Sequence, residues 1–437
     1  MVSPPPRLRG VPGLGSLIPF ARDPLAFVAE AARLGDVVWY RLVDHQLVQL
    51  SHPALVEAVL VDHAKDVHKD AIYDLLRPSL GDGLVTSEGE TWRRHRKLAA
   101  PSFQKRHVDG YAEAFVACTE DWLGALPDQV DLHEQFMALT QRIVLDTLFG
   151  TDLGVDTSGV AHALHTVMAG FSSESQGPGR LLPRWVPTRT RRRVQQAIAD
   201  LDRTIYAIIE SRRRIGLGDD LLSRLVAARD EQGGFDDRAL RDEAVTAFVA
   251  GHETTALALT YAIVLLGERP EAWAPVVAEV DRVLGDRAAT AGDFAALPRT
   301  TDVIREAMRV LPPVWAVGRE AQRDLVIGGH EVPVGTQIVM SQWVMHRDPR
   351  WFDDPLAFRP ERWAGDLQQR LPRMAYLPFG GGPRVCIGNH FALLEAVLVL
   401  ATLARRIRPV PTGPRPRLVP SITMRPGGPV PARIERR

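Results

Sequence analysis

The stretch 377–396, "LPFGGGPRVCIGNHFALLEA", puts one of the chain's two cysteines, Cys386, in a glycine-rich loop that runs directly into an apolar helix. Helical spacing of the apolar residues predicts that helix over 389–407, so Cys386 lies just ahead of its N-terminus. Unpaired N–H groups and the positive dipole end there favour a thiolate, and Arg384 adds a cation close by. Gly380, Gly381, Gly382 and Gly388 let the backbone approach something flat and large. A thiolate offered to a bulky planar group is what a haem iron uses. Other readings of the loop are a buried small hydrophobe, a phosphate cradle and a cysteine nucleophile. No Lys-Ser/Thr follows the glycines and no strand precedes them, so the phosphate cradle fails. A nucleophile needs a base; His390 is near in sequence, but no sequence rule pairs it with Cys386.

Composition sets the outer limits. With 437 residues, 45% of them hydrophobic and 24% charged, the chain has the make-up of an ordinary globular protein. Lys+Arg and Asp+Glu both number 53, so the charge is balanced and a nucleic-acid footprint is not expected. Two cysteines, 118 and 386, build neither a disulfide framework nor a multi-cysteine metal site, which fits a reducing, cytoplasmic setting. The opening "MVSPPPRLRGVPGLGSLIPF" carries prolines where a signal peptide needs an apolar run. The longest apolar helical stretch, 391–404, is too short to span a bilayer and contains Glu395, so no membrane anchor is expected.

Along the chain, residues 1–20 read as extended and 23–34 as helix. Residues 37–51 alternate and turn at Asp44–His45, a hairpin pattern. Residues 52–62 return to helical spacing, and 64–90 are irregular. From Glu90 to about Arg309 the pattern is mostly helical, broken near 172–188. Short strands are predicted within 324–343. A long connection, 350–385, shows little periodicity, and a strand-like tail closes the chain. The sum is a mainly α fold with a small β portion in a single large domain. Its parts are an N-terminal β-containing region (about 20–63), a helical core (about 90–310) and the loop 377–390.

The pattern Phe379-Gly380-x-Gly382-x-Arg384-x-Cys386-x-Gly388 arises by chance on the order of 10⁻⁵ times or fewer at this composition. It resembles the haem-binding signature of the cytochrome P-450 family, the haem-thiolate monooxygenases of bacterial soluble type. That resemblance makes Cys386 the axial ligand of haem b. A second match lies in "DEAVTAFVAGHETTALALTYAIVLLGE" (242–268), an apolar helix of roughly 40 Å whose middle breaks local rules with Gly251 and the β-branched pair Thr254–Thr255. "HETTA" is not the zinc motif HExxH, since its fifth residue is Ala256. It matches the family's small-Gly-x-acid-Thr pattern: Ala250 and Gly251 leave room for dioxygen, while Glu253 and Thr254 deliver protons. Glu306 and Arg309, i and i+3, together with Arg362 in "FRPERW", resemble the family's structural triad, with a fold-holding role. Trp92 and Arg96, i and i+4 in "WRRHRK", match the face that meets haem propionates. Arg319 matches another propionate-binding arginine, and Arg384 is a further candidate.

The resemblance covers essentially the whole chain. It implies insertion of one atom of dioxygen, the co-substrate, into a small apolar substrate such as a terpenoid, fatty acid, steroid or polyketide. The candidate pocket residues are Leu75, Leu76, Leu80, Leu84, Phe248, Ala250, Val314–Val317 and Ile422. The chain ends soon after the cysteine loop, so electrons are expected from a separate ferredoxin or flavodoxin with its reductase. Arg93, Arg94 and Lys97, on the helix face opposite Trp92 and Arg96, are candidate docking charges for that acidic partner. The rivals are a peroxygenase driven by hydrogen peroxide, which has no use for the Glu253–Thr254 pair, and a non-enzymatic haem sensor, which needs no electron donor. A serine hydrolase is set aside, because no G-x-S-x-G elbow is present.

Overall fold

The computed structural model describes residues 5–150 and 188–437 and, between them, only positions 159, 163, 166, 167, 170 and 186. Most of the expected break near 172–188 lies outside the described residues. The architecture is mainly α with a small β portion. Contacts gather into two compact units. One takes residues 1–70, 115–136 and 254–437, the other 71–114 and 137–253. Neither unit is a continuous piece of chain, which is why no linker composition marks a boundary between them.

The first unit holds the sheets. Asp23 caps the helix Pro24–Leu34 by accepting the Ala26 N–H, and Pro24 occupies the first turn, where its missing donor costs nothing. Strands Val37–Leu42 and His45–Leu50 form the expected hairpin, although the turn is Val43–Asp44, with Val43 at φ +56°. A β-branched residue in that region is strained. The hairpin then pairs in parallel with Gln337–Met340, which pairs antiparallel with Val317–Ala321 and so leads to Val67–His68. Val48, Ile338 and Met340 of this sheet share one buried cluster with Val56 and Val59 from the segment after the hairpin. Two expectations need correction. Leu17–Arg22 is helical rather than extended, and Val317–Ala321 is a strand that local periodicity did not reveal. The helix Asn389–Arg406 ends one residue before its predicted limit.

The second unit is helical. It contains Gly89–Ala99, most of Leu132–Phe149, Arg189–Ile215, Leu221–Ala227 and the first half of Asp237–Glu268. Arg212, buried, reaches both the Asp220 carboxylate at 2.9 Å and the Phe149 carbonyl at 2.8 Å, so one guanidinium ties three segments. Asp237–Glu268 is, among the described residues, the one helix long and apolar enough to cross a membrane, and 78% of its apolar window is buried in protein. It is longer than the 391–404 stretch that the sequence singled out.

What fixes the irregular part of the first unit sits on the helix Pro298–Val310. Glu306 and Arg309 are both fully buried, 0% exposed. Two charges out of water persist only when their lone pairs and protons are used. Glu306 accepts from Arg309 Nε and Nη2 (2.9 and 2.8 Å), Arg362 Nε (2.9 Å), the Arg359 N–H (2.9 Å) and the Trp363 indole (2.8 Å). Arg309 also donates to the carbonyls of His346 (2.7 Å), Pro355 (2.6 Å) and Ala357 (2.8 Å). Two side chains therefore organise residues 346–363, where regular structure is scarce.

Replacing Arg309 by Met keeps the bulk, removes two of the five hydrogen bonds to the buried Glu306 carboxylate and leaves the carbonyls of His346, Pro355 and Ala357 without this donor. The expected cost is about 3–5 kcal/mol, read from the urea unfolding midpoint. A loss no larger than an exposed ion pair gives, about 1 kcal/mol, would show that the clamp is dispensable.

Candidate functional site

The loop that carries Cys386 is built by short-range bonds and close packing. Leu377, buried, anchors its start. The Gly380 N–H donates to the Leu377 carbonyl at 3.0 Å, and the Cys386 N–H closes the loop on the Phe379 carbonyl at 2.9 Å. Gly380 and Gly382 adopt φ of +71° and +66°, which side chains rarely tolerate. A Cβ on Gly382 would lie 1.8 Å from the Leu60 carbonyl oxygen, whereas one on Gly380 would meet no atom within 4 Å. The glycines thus divide: Gly382 is required by the protein's own backbone, and Gly380 faces open space. Cys386 is exposed, and Gly388, two residues on, caps the 18-residue helix Asn389–Arg406. Cys118, by contrast, is buried on the helix Ala112–Ala125.

The long helix Asp237–Glu268 is buried along most of its length, with Phe248, His252, Glu253 and Thr255 all inside. Accessible positions recur on one face at Ala247, Ala250, Gly251 and Thr254, the helical period. The Thr140 hydroxyl donates to the His252 carbonyl at 2.9 Å, pinning the polar cluster from a neighbouring helix. Gly251 has a packing reason that spacing did not disclose: a Cβ there would stand 3.2 Å from Val144 Cγ2.

In the second unit the helix Gly89–Ala99 carries Trp92 and Arg96, both half-buried on one face. Its anchor is His95, whose Nδ1 lies 2.8 Å from Glu243 Oε1, while Glu243 Oε2 accepts the Leu84 N–H at 3.2 Å. Asp242 accepts the Asp82 N–H at 2.8 Å. These bonds draw the 82–84 segment and the Trp92/Arg96 helix to the long helix one turn before Phe248. Leu76 and Leu80 are buried, and Leu75 is exposed. Arg94 is half-buried and held by partners of its own. It pairs with Asp230 at 3.0 Å and donates to the Gly233 and Gly234 carbonyls. Arg93 and Lys97 remain exposed.

In the first unit Val314–Val317 and the turn at Ile422 come together. The Trp315 indole donates to the Ser421 carbonyl at 2.7 Å, and the Met424 N–H to the Pro313 carbonyl at 2.8 Å. Arg319 lies on the strand Val317–Ala321 and is 7% exposed. It donates to the Gly318 carbonyl at 2.7 Å, and among the described residues no carboxylate pairs with it. A buried cation calls for an anion. An accessible thiol before a helix N-terminus, an open glycine beside it and a buried arginine lacking a protein carboxylate together fit a haem with its propionates.

Sequence reasoning missed Glu243, Thr140 and His346 as organisers. Their partners are remote in the chain, so no local pattern marks them. In the sequence Glu395 stands out only as a charge in an apolar stretch. It is fully buried in Asn389–Arg406, and neither carboxyl oxygen has a well-formed hydrogen bond. Burial pushes its pKa well above the carboxylate range, weakly opposed by the Thr255 hydroxyl.

Comparison with known proteins agrees along the chain. The family profile described as Cytochrome P450 matches residues 4–427. Cyclooctatin synthase of Streptomyces melanosporofaciens is 37% identical over 95% of this chain and 93% of its own length. Cyclooctat-9-en-7-ol 5-monooxygenase of the same organism is 37% identical over 92% and 89%. Pentalenene oxygenase of Streptomyces avermitilis is 33% identical over 91% and 89%. The solved structure of cyanobacterial CYP120A1 with retinoic acid bound superposes with a TM-score of 0.88 at 26% identity, covering 99% of both chains.

Glu395 gives a pH test. A carboxyl whose pKa is raised by folding favours the folded state below its unfolded pKa, and that contribution is lost as pH rises through the folded value. Glu395→Gln removes the loss. The melting-temperature difference, variant minus parent, is therefore expected to grow from about pH 4 to about pH 8. A difference that stays flat across that range contradicts the assignment.

Proposed function

The chain belongs to the cytochrome P450 family, and from that premise we propose that this monooxygenase inserts one atom of dioxygen into an apolar cyclic terpenoid, with Cys386 as the axial thiolate ligand of haem b. The observation that carries the reading is the loop at Cys386: an accessible sulfur, a backbone closed on Phe379 and a helix N-terminus two residues on. The substrate class draws support from the relatives' names, two of which denote oxidation of a cyclic alkene or alkenol, pentalenene and cyclooctat-9-en-7-ol.

Haem bound there supplies the iron chemistry that activates dioxygen, with a sulfur ligand that favours O–O cleavage. Arg319 in the first unit, and Trp92 and Arg96 in the second, would hold its propionates, with Arg384 a further candidate. Ala250 and Gly251 make this side of the long helix small, and Thr254 on the same side is partly accessible. With haem bound, Thr254 would offer a hydrogen-bond donor on the accessible side of the helix, and Glu253, buried beside it, would serve as a proton-transfer group. Leu76, Leu80 and Phe248 in the second unit, and Val314, Val317 and Ile422 in the first, are the candidate apolar groups for excluding water and orienting the substrate. The balance is one C–H bond, one dioxygen, two electrons and two protons converted to one alcohol and one water. A cytoplasmic ferredoxin or flavodoxin with its reductase supplies the electrons.

The test is reconstitution with a surrogate ferredoxin and reductase against cyclic terpenes, terpene alcohols and fatty acids. Product is expected from the terpenoids and should require NADPH. Thr254→Ala is expected to lower product formed per NADPH consumed by roughly ten-fold or more. Brisk turnover with hydrogen peroxide alone, indifferent to Thr254→Ala, would instead identify a peroxygenase. Absence of any turnover by a haem-loaded protein would leave a sensor.

A further inference from the structure

Between the buried clamp and the cysteine loop stands one histidine. His346 is 0% exposed and follows the short helix Gln342–Met345. Its carbonyl accepts Arg309 Nη1 at 2.7 Å, and its Nε2 lies 2.9 Å from the Leu377 backbone nitrogen. Leu377 opens the loop that ends at Cys386. Since a backbone N–H can only donate, Nε2 carries a lone pair and the ring proton resides on Nδ1. That Nδ1–H faces the Met308 carbonyl too loosely for a good hydrogen bond. Burial, then the charges of Arg309 and Arg347, push the imidazole pKa down to about 3, so the ring stays neutral and keeps its acceptor.

The preceding residue is tethered to the same frame. The Tyr376 hydroxyl donates to the Arg305 carbonyl on Pro298–Val310 at 2.9 Å. Its ring packs 5.0 Å from His346 and 4.6 Å from Trp363, whose indole bonds Glu306. From Leu377 the path runs through the Gly380 N–H to the Leu377 carbonyl, and then through the Cys386 N–H to the Phe379 carbonyl. The connection from Arg309 to Cys386 is therefore a short series of hydrogen bonds, and its single side-chain acceptor is His346.

We propose that His346 is a positioning residue, whose imidazole transmits the geometry of the Glu306–Arg309 clamp to the Leu377 N–H and thereby sets where the Cys386 sulfur is presented. This rests on the reading that Cys386 holds the haem iron. A histidine that merely filled core volume would be replaceable by any side chain of similar size. A positioning histidine is replaceable only by one that restores an acceptor at Nε2.

The experiment compares haem-loaded wild type, His346→Gln and His346→Leu. Gln places an amide oxygen near the Nε2 position, and Leu offers bulk without an acceptor. The readouts are the ferrous–CO spectrum, the haem reduction potential and the hydrogen exchange of the Leu377 amide. His346→Leu is expected to convert from the sulfur-type to the sulfur-free CO spectrum roughly ten-fold faster, with the Leu377 amide exposed to exchange. His346→Gln is expected to restore both. Should His346→Leu keep the parent spectrum, potential and conversion rate while losing only melting temperature, the histidine is structural and the proposal fails. If His346→Leu does not fold, wild type and His346→Gln decide the matter. A Leu377 amide that exchanges rapidly in either one refutes the hydrogen bond on which everything turns. A wild-type protein with no sulfur-type spectrum would overturn the haem-thiolate reading instead, and that outcome is distinguishable from all of these.

Discussion

The fully buried pair Glu306–Arg309 is the constraint on which the first unit depends. Ionised groups in a core are costly unless surrounded by partners, and this pair recruits its partners from distant chain: Arg359, Arg362 and Trp363 on the carboxylate, the carbonyls of His346, Pro355 and Ala357 on the guanidinium. An apolar pair of equal size would fill the space without choosing among conformations of the 346–363 segment. Hydrogen bonds with fixed directions do choose, and through His346 and Tyr376 that choice extends to the start of the cysteine loop.

The long helix joins two kinds of requirement in one element. Its buried faces obey packing, down to Gly251 against Val144 and Thr140 on the His252 carbonyl. Its accessible face, from Ala247 to Thr254, is narrow because small residues occupy it. Glu395, across from Thr255 on the helix that follows Cys386, is a buried acid whose pKa burial raises well above the carboxylate range. Such departures from local rule in mid-element concentrate where chemistry is proposed.

Much of this was legible in the sequence because the signals are local. The glycines around Cys386, the alternation over 37–51 and the helical spacing over 242–268 each sit within one element. What stayed hidden depends on pairing across the chain. His45–Leu50 finds its parallel partner in Gln337–Met340, nearly the whole protein away, and no periodicity announces that. The two units are stitched from alternating segments, so composition shows no boundary. Arg94 reads as a surface charge until Asp230 comes to meet it. His346 reads as one more histidine near a turn, and only the Leu377 N–H reveals its use. The grouping of Glu306, Arg309 and Arg362 came with the family resemblance; for the other charged and aromatic positions the sequence could flag the residue but not its partner.

The central claim is a bond between the sulfur of Cys386 and haem iron, and one spectrum addresses it directly. Wild-type protein, purified after expression with haem supplementation and reduced under carbon monoxide, should give a Soret band of the sulfur-ligated type, and Cys386→His should replace it with the histidine-ligated type. A colourless protein, or a histidine-type band already present in the wild type, would contradict the account.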